Sequence, residues 1–310
     1  MISVRSRWVA AAVLGTALGS LLVSGCASSG SSDDATAGSS ARISVVASTD
    51  VYGDIVSEIA GDKVKITSII DSSDADPHSY EANTQNQLAL SKAKIVIENG
   101  GGYDDFMDAL LKTAGNKSAK VLNVVDISGK ATGNENDLNE HVWYDFPTIE
   151  KFAAQLVTAL ANADPADAST FTANARTFSS DLKALEATEA TIKASNAGAG
   201  VAITEPVPLY LLQACGLVNK TPADFSKAVE EESDVSPRVL SETLALFDDK
   251  QVKLLAYNEQ TSGATTERAL AAAKANHIPV VPVTETLPAG KNYVSWMSDN
   301  LNSVRSALDQ

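Results

Sequence analysis

The chain has 310 residues, 44% hydrophobic and 20% charged, with 39 acidic against 24 basic side chains and a formal net charge of −15. That balance excludes nucleic acid and anionic lipid as electrostatic partners. Two cysteines exclude a disulfide framework.

At the N-terminus, Arg5 and Arg7 precede an apolar run from Val9 to Val23 that is too short and wrongly flanked for a spanning helix. Residues 1–25 therefore read as a secretory signal. The run ends in Val23-Ser24-Gly25-Cys26, which resembles a bacterial lipobox. The resemblance implies that Cys26 receives the lipid, becomes the mature N-terminus and anchors the chain to the outer face of the cell membrane. The leader carries no acid, so what remains is two charges more negative. Residues 26–41 are almost entirely Ser, Gly, Ala, Thr and Asp and read as a flexible tether.

The remainder exceeds one ordinary core and fits two lobes. Ile43–Ser48, Val64–Ile70, Lys94–Glu98 and Val121–Val125 are near-continuous β-branched runs, with helices expected over Asp54–Ala60 and Gln85–Ala93. Such runs separated by helices predict a parallel sheet covered on both faces. A second set follows, with strands over Val201–Thr204, Val252–Asn258 and Ile278–Thr284 and helices over Ser236–Asp248 and Ala264–Asn276. Between the sets, Pro165–Asn196 has no glycine or internal proline and places Phe171, Ala175, Phe178, Leu182, Leu185 and Ile192 on one seam. The expectation is an α/β chain of two Rossmann-like lobes, 42–164 and 198–310, joined by a long rigid helix over 165–197. Asp164 is the expected cap of that helix and Pro165 its first residue.

Only three histidines occur. His78, in Asp74-Ala75-Asp76-Pro77-His78-Ser79-Tyr80-Glu81, and His141, in Asn139-Glu140-His141-Val142-Trp143-Tyr144-Asp145, both fall in loops after strands, at the sheet edge where open α/β folds hold ligands. His277 precedes a strand, at the opposite edge, and reads as structural. Cys215 sits in an apolar helical stretch and reads as a buried, inert thiol.

Three segments then carry a specific resemblance. Asp76-Pro77-His78-Ser79-Tyr80-Glu81, Ile95-Val96-Ile97-Glu98-Asn99-Gly100-Gly101 and His141-Val142-Trp143-Tyr144-Asp145 resemble, in order, the signatures of the zinc/manganese solute-binding proteins of ABC importers. The likeness extends from about Ile43 to the C-terminus. It implies that His78 and His141 are metal ligands from the first lobe. It implies a third ligand at Glu205, with Tyr210 as the aromatic five residues on, and a fourth at Glu285, where the family usually has aspartate. It also implies a monomer that delivers the ion to a membrane permease.

Two imidazoles and two carboxylates carry a net ligand charge that cancels a divalent ion. Glu81 and Asp145 are available to fix the imidazoles from behind. The oxygen content favours Mn2+ over Zn2+ as the transported ion, as does the acidic loop Gly133–Glu140 in place of a histidine-rich one. Two rival readings exist. A zinc hydrolase lacks support, since no H-E-x-x-H, G-x-S-x-G or phosphate loop occurs and four ligands close the coordination sphere. A surface adhesin would use acidic patches such as Asp104-Asp105 and Glu230-Glu231-Glu232, which read as solvated faces.

Overall fold

The structure is a computed structural model that describes residues 42–72, 80, 83–131 and 138–310. Two four-stranded parallel sheets organise it. The first has the order β2-β1-β3-β4, built from β1 (Ile43–Thr49), β2 (Val64–Ile70), β3 (Ile95–Glu98) and β4 (Lys120–Asn123). The second has the order β6-β5-β7-β8, from β5 (Gly200–Ile203), β6 (Val218–Asn219), β7 (Leu255–Asn258) and β8 (Val280–Val283). β1 is central to the first sheet, with Val45 level with Ile66 on one side and Ile95 on the other. This is the two-lobed α/β architecture expected, because both faces of each sheet are apolar and must be covered.

The covering helices of the first lobe are α1 (Asp50–Ala60), α2 (Thr84–Lys92), α3 (Phe106–Ala114), α4 (Val124–Ser128) and α5 (Phe146–Ala163). The strand expected to run to Val125 stops at Asn123. There the Asn123 side chain accepts a hydrogen bond from Asp126 N at 2.9 Å and turns the chain into α4.

The long seam forms α6 (Ala168–Asn196), a helix of 29 residues with Phe171, Phe178, Leu182, Leu185 and Ile192 buried along it. It begins three residues beyond Pro165 because Asp164 is occupied otherwise: its backbone caps the end of α5, and its side chain closes a turn onto Ala166 N at 3.1 Å. Each buried Phe or Leu contributes about 2 kcal/mol, so the seam is a substantial part of the core. Glu189 lies in the same seam, and burial pushes its carboxyl up to about 8, with Glu186 and Asp145 adding repulsion.

In the second lobe lie α7 (Leu209–Ala214), α8 (Ala223–Glu230), α9 (Pro237–Asp248), α10 (Ala264–Ala275) and α11 (Tyr293–Leu308). One apolar cluster runs continuously from the first sheet through α5, α6 and α11 into the second sheet. Tyr293, Trp296 and Met297 of α11 are fully buried within it. Among the described residues, no helix is long and apolar enough to cross a membrane.

Polar bonds stitch the lobes where the core is continuous. Tyr293 Oη donates to the Trp143 carbonyl at 2.6 Å, and Tyr144 Oη donates to the Thr284 carbonyl at 2.8 Å. One face of α1 presents Asp50, Asp54 and Glu58, which accept from Leu287 N (3.2 Å), Tyr293 N (2.7 Å) and Asn292 Nδ2 (2.8 Å). The amide of Tyr293 opens α11, so Asp54 sits at the positive end of that helix.

Candidate metal centre

His141 is fully buried and precedes the 3-10 turn Val142–Tyr144. Its orientation is set by Asn139, whose Oδ1 accepts from His141 N at 3.2 Å and lies 2.7 Å from Nδ1. A carboxamide oxygen can only accept, so Nδ1 carries the proton in this contact. Asn139 is fixed across the lobes in turn: its Nδ2 donates to the Pro206 carbonyl at 3.0 Å, and its own carbonyl accepts from Tyr210 Oη at 2.8 Å. Tyr103 and Trp143 wall the imidazole, with ring centroids 5.8 and 5.0 Å away.

The expected support from Asp145 is not what the fold uses. Asp145 caps α5, accepting from Thr148 N at 3.1 Å, and pairs with Lys130 at 3.2 Å. The geometric reason is direction: Asp145 lies beyond the 3-10 turn, whereas Asn139, two residues before the imidazole, folds back on it. Glu81 lies outside the described residues.

The Asn99-Gly100-Gly101 motif explains how this loop is held. Asn99 Nδ2 donates to the Glu140 carbonyl at 3.0 Å, while Asn99 Oδ1 accepts from the Tyr52 hydroxyl. Gly100 adopts φ 78°, and a Cβ there would run into the Asn123 carboxamide. Asp104 closes the turn by accepting from Asn99 N (2.6 Å) and Gly100 N (2.8 Å). Asp104 is therefore buried and structural, not part of an exposed acidic patch.

From the second lobe, Glu205, Asn258 and Glu285 leave the carboxyl ends of β5, β7 and β8, the edge at which such sheets hold ligands. Glu205 and Glu285 are each only 3% exposed. Glu285 Oε1 accepts from Asn258 Nδ2 at 2.8 Å, its backbone N–H donates to Gln260, and its Oε2 lies 4.0 Å from His141 Nε2. Glu205 accepts from the Thr261 hydroxyl. Burial holds the Tyr103 phenol well above its ordinary pKa, and the adjacent Glu285 carboxylate adds to the shift.

Three of the four expected ligands, His141, Glu205 and Glu285, thus come to one place. His78 lies outside the described residues, as does Cys26. Two further carboxylates join, Glu140 from the acidic loop before His141 and Glu230 from a run expected to be a solvated face. Glu230, the last residue of α8, brings Oε1 to 3.6 Å from His141 Nε2. Glu140, His141 and Glu230 each offer a donor atom within 4.8 Å of the others. Glu231 and Glu232 are exposed, as expected of an acidic run, but Glu230 turns inward. Burial pushes its carboxyl far above the usual carboxylate range, and Glu140, Glu205 and Glu285 push the same way.

The other singled-out residues lie elsewhere. His277 is exposed in a turn with φ 58°, ahead of β8. Cys215 is fully buried at the end of α7, and burial pushes its thiol up to about 12, with Glu189 adding to the shift.

An imidazole and buried carboxylates, with Asn139, Asn258 and Thr261 hydrogen-bonded to His141, Glu285 and Glu205, are donors of the kind that divalent transition ions take. Comparison with known proteins agrees. The manganese ABC transporter substrate-binding lipoprotein ScaA of Streptococcus gordonii is 25% identical over 301 residues, covering 91% of this chain and 93% of that protein. The manganese-binding lipoprotein MntA of Halalkalibacterium halodurans is 28% identical over 170 residues, and the match spans 54% of each chain. The solute-binding protein FpvC of Pseudomonas aeruginosa in complex with Mn2+ superposes with a TM-score of 0.71 at 20% identity, covering 86% of this chain and 98% of that one. The laminin-binding adhesin Lmb of Streptococcus agalactiae gives the same TM-score and identity over 86% and 99%. At that identity both structural likenesses speak for the fold alone. The family model for the zinc-uptake complex component A, periplasmic (ZnuA), matches residues 45–307. The chain belongs to this ZnuA family of transport components.

Proposed function

We propose that the protein is an extracytoplasmic solute-binding lipoprotein that captures Mn2+ or Zn2+ between its lobes and delivers it to the permease of an ABC importer. The observation that carries this reading is the meeting of first-lobe His141 Nε2 with second-lobe Glu285, 4.0 Å apart. His78 and His141 supply the first-lobe ligands, Glu205 and Glu285 those of the second, with residues 42–164 and 198–310 as the two lobes. Neither lobe alone holds a full set, so the ion joins them and its departure requires their separation. The shared core and α6 keep that separation small.

The chain works as a monomer, anchored by lipid at Cys26 through the 26–41 tether. Its carboxylate content favours Mn2+, although the intrinsic order of affinities favours Zn2+ at any such site. The role is transport and not catalysis, in keeping with the family.

Elemental analysis of protein purified without chelator, with calorimetric titration of Mn2+ and Zn2+, tests the reading. The wild type should bind one ion per chain, and His141→Ala should bind neither measurably. Glu205→His should move the preference toward zinc. Wild-type protein that binds neither ion, or a His141→Ala variant that binds both normally, overturns the reading.

A further inference from the structure

We propose that Glu230 is itself a ligand of the transported ion, a third carboxylate from the second lobe that enlarges the coordination sphere and biases it toward manganese. This rests on the metal-capture reading above and adds a residue to it.

The geometry is direct. Donor atoms bound to one ion at about 2.1 Å stand roughly 3.0–3.5 Å apart in octahedral or tetrahedral spheres. Glu230 Oε1 lies 3.6 Å from His141 Nε2, nearer than the 4.0 Å of Glu285 Oε2. An ion seated against His141 therefore meets Glu230 with only a few tenths of an ångström of adjustment.

Burial supports the same assignment. Glu230 has a side chain only 15% exposed and faces Glu140, Glu205 and Glu285. Glu140, which meets Glu230 side chain to side chain, positions it from the first lobe.

The position of Glu230 in the chain gives it a distinct role. Glu205 and Glu285 leave strand ends and are fixed by Thr261, Asn258 and Gln260. Glu230 ends a helix of eight residues, followed by exposed Glu231 and by Glu232 with φ 50°. It thus supplies a ligand carried on an element separate from the strand ends that hold the others. With Glu230 included, the described donors are one imidazole and three carboxylates. An oxygen-rich sphere able to exceed four donors suits Mn2+, while Zn2+ is content with four.

The test is competitive calorimetric titration of Mn2+ and Zn2+ into wild type, Glu230→Gln and, as a neighbouring charge control, Glu231→Gln, with thermal melts in chelator confirming folding. Glu230→Gln should lose at least roughly tenfold in Mn2+ affinity, and less in Zn2+ affinity. It should also change the visible absorption of the Co2+-loaded protein, which reports ligand number. Glu231→Gln should match wild type in every measurement. Mn2+ affinity of Glu230→Gln within twofold of wild type overturns the assignment. Tighter binding by that variant also overturns it, because it would mean that Glu230 occupies the ion's place and must leave. Failure of the underlying reading is separate, since wild type would then bind neither ion.

Discussion

Asn139 Oδ1 stands 2.7 Å from His141 Nδ1 while the same side chain donates to the Pro206 carbonyl, so one carboxamide fixes both the tautomer of the imidazole and its place against the second lobe. Asn139→Ala removes both. The expected outcome is a loss of about 10–100-fold in metal affinity with the fold retained, measured by titration calorimetry. Unchanged affinity would show that the imidazole is held well enough by Tyr103 and Trp143 alone.

Tyr293 Oη donates to the buried Trp143 carbonyl at 2.6 Å. Tyr293→Phe keeps the ring and leaves that carbonyl without its donor, at a cost of about 1–3 kcal/mol. Urea unfolding should show a lower midpoint with an unchanged slope. A midpoint equal to wild type would mean the bond contributes nothing across the lobe boundary.

Asp54 gives a pH dependence with a defined sign. Burial raises its carboxyl from 3.8 to about 6, offset by the bond from Tyr293 N and reinforced by Glu58. A carboxyl raised on folding contributes stability that is full below its ordinary pKa and is lost as pH rises through about 6. Asp54→Asn keeps an acceptor for Tyr293 N and carries no charge. It should melt higher than wild type at pH 8, by about 1 kcal/mol after allowance for solvent screening, and equally at pH 4. Equal melting at both pH values would remove Asp54 as the cause.

Cys26 is the expected lipid site. Wild-type protein expressed in its own membrane should incorporate radioactive palmitate and partition into detergent, and Cys26→Ala should do neither. Labelling that survives the substitution would place the anchor elsewhere.

The sequence made the two sheets and α6 legible because their signals are local: continuous apolar runs between helices, and an unbroken helical seam from Phe171 to Ile192. The loop placement of His141 and the strand-end placement of Glu205 and Glu285 were legible through motif and position. Glu230 was not, because three successive glutamates look alike until packing decides which one turns inward. Asn139 had a recognisable signature, a short amide two residues before a histidine able to fold back on its own backbone. Strand β6 has two residues and no pattern to read. Helix α11 did carry one, since Asn292 caps a run with Tyr293, Trp296, Met297, Leu301 and Val304 on a single face, beyond the last strand expected at Ile278–Thr284.

The acidic face of α1 also bears on how the molecule folds. Asp50 and Asp54, in the first helix of the described residues, bond to Leu287 and Tyr293, which lie 237 and 239 residues away. Contacts that close so long a loop come late, because the entropy of closure must be met before they stabilise anything. The last helix therefore acts as a keystone. A chain growing or emerging from its N-terminal end can form its first sheet early, but the packing of α1 against the second lobe is completed only when α11 returns to it.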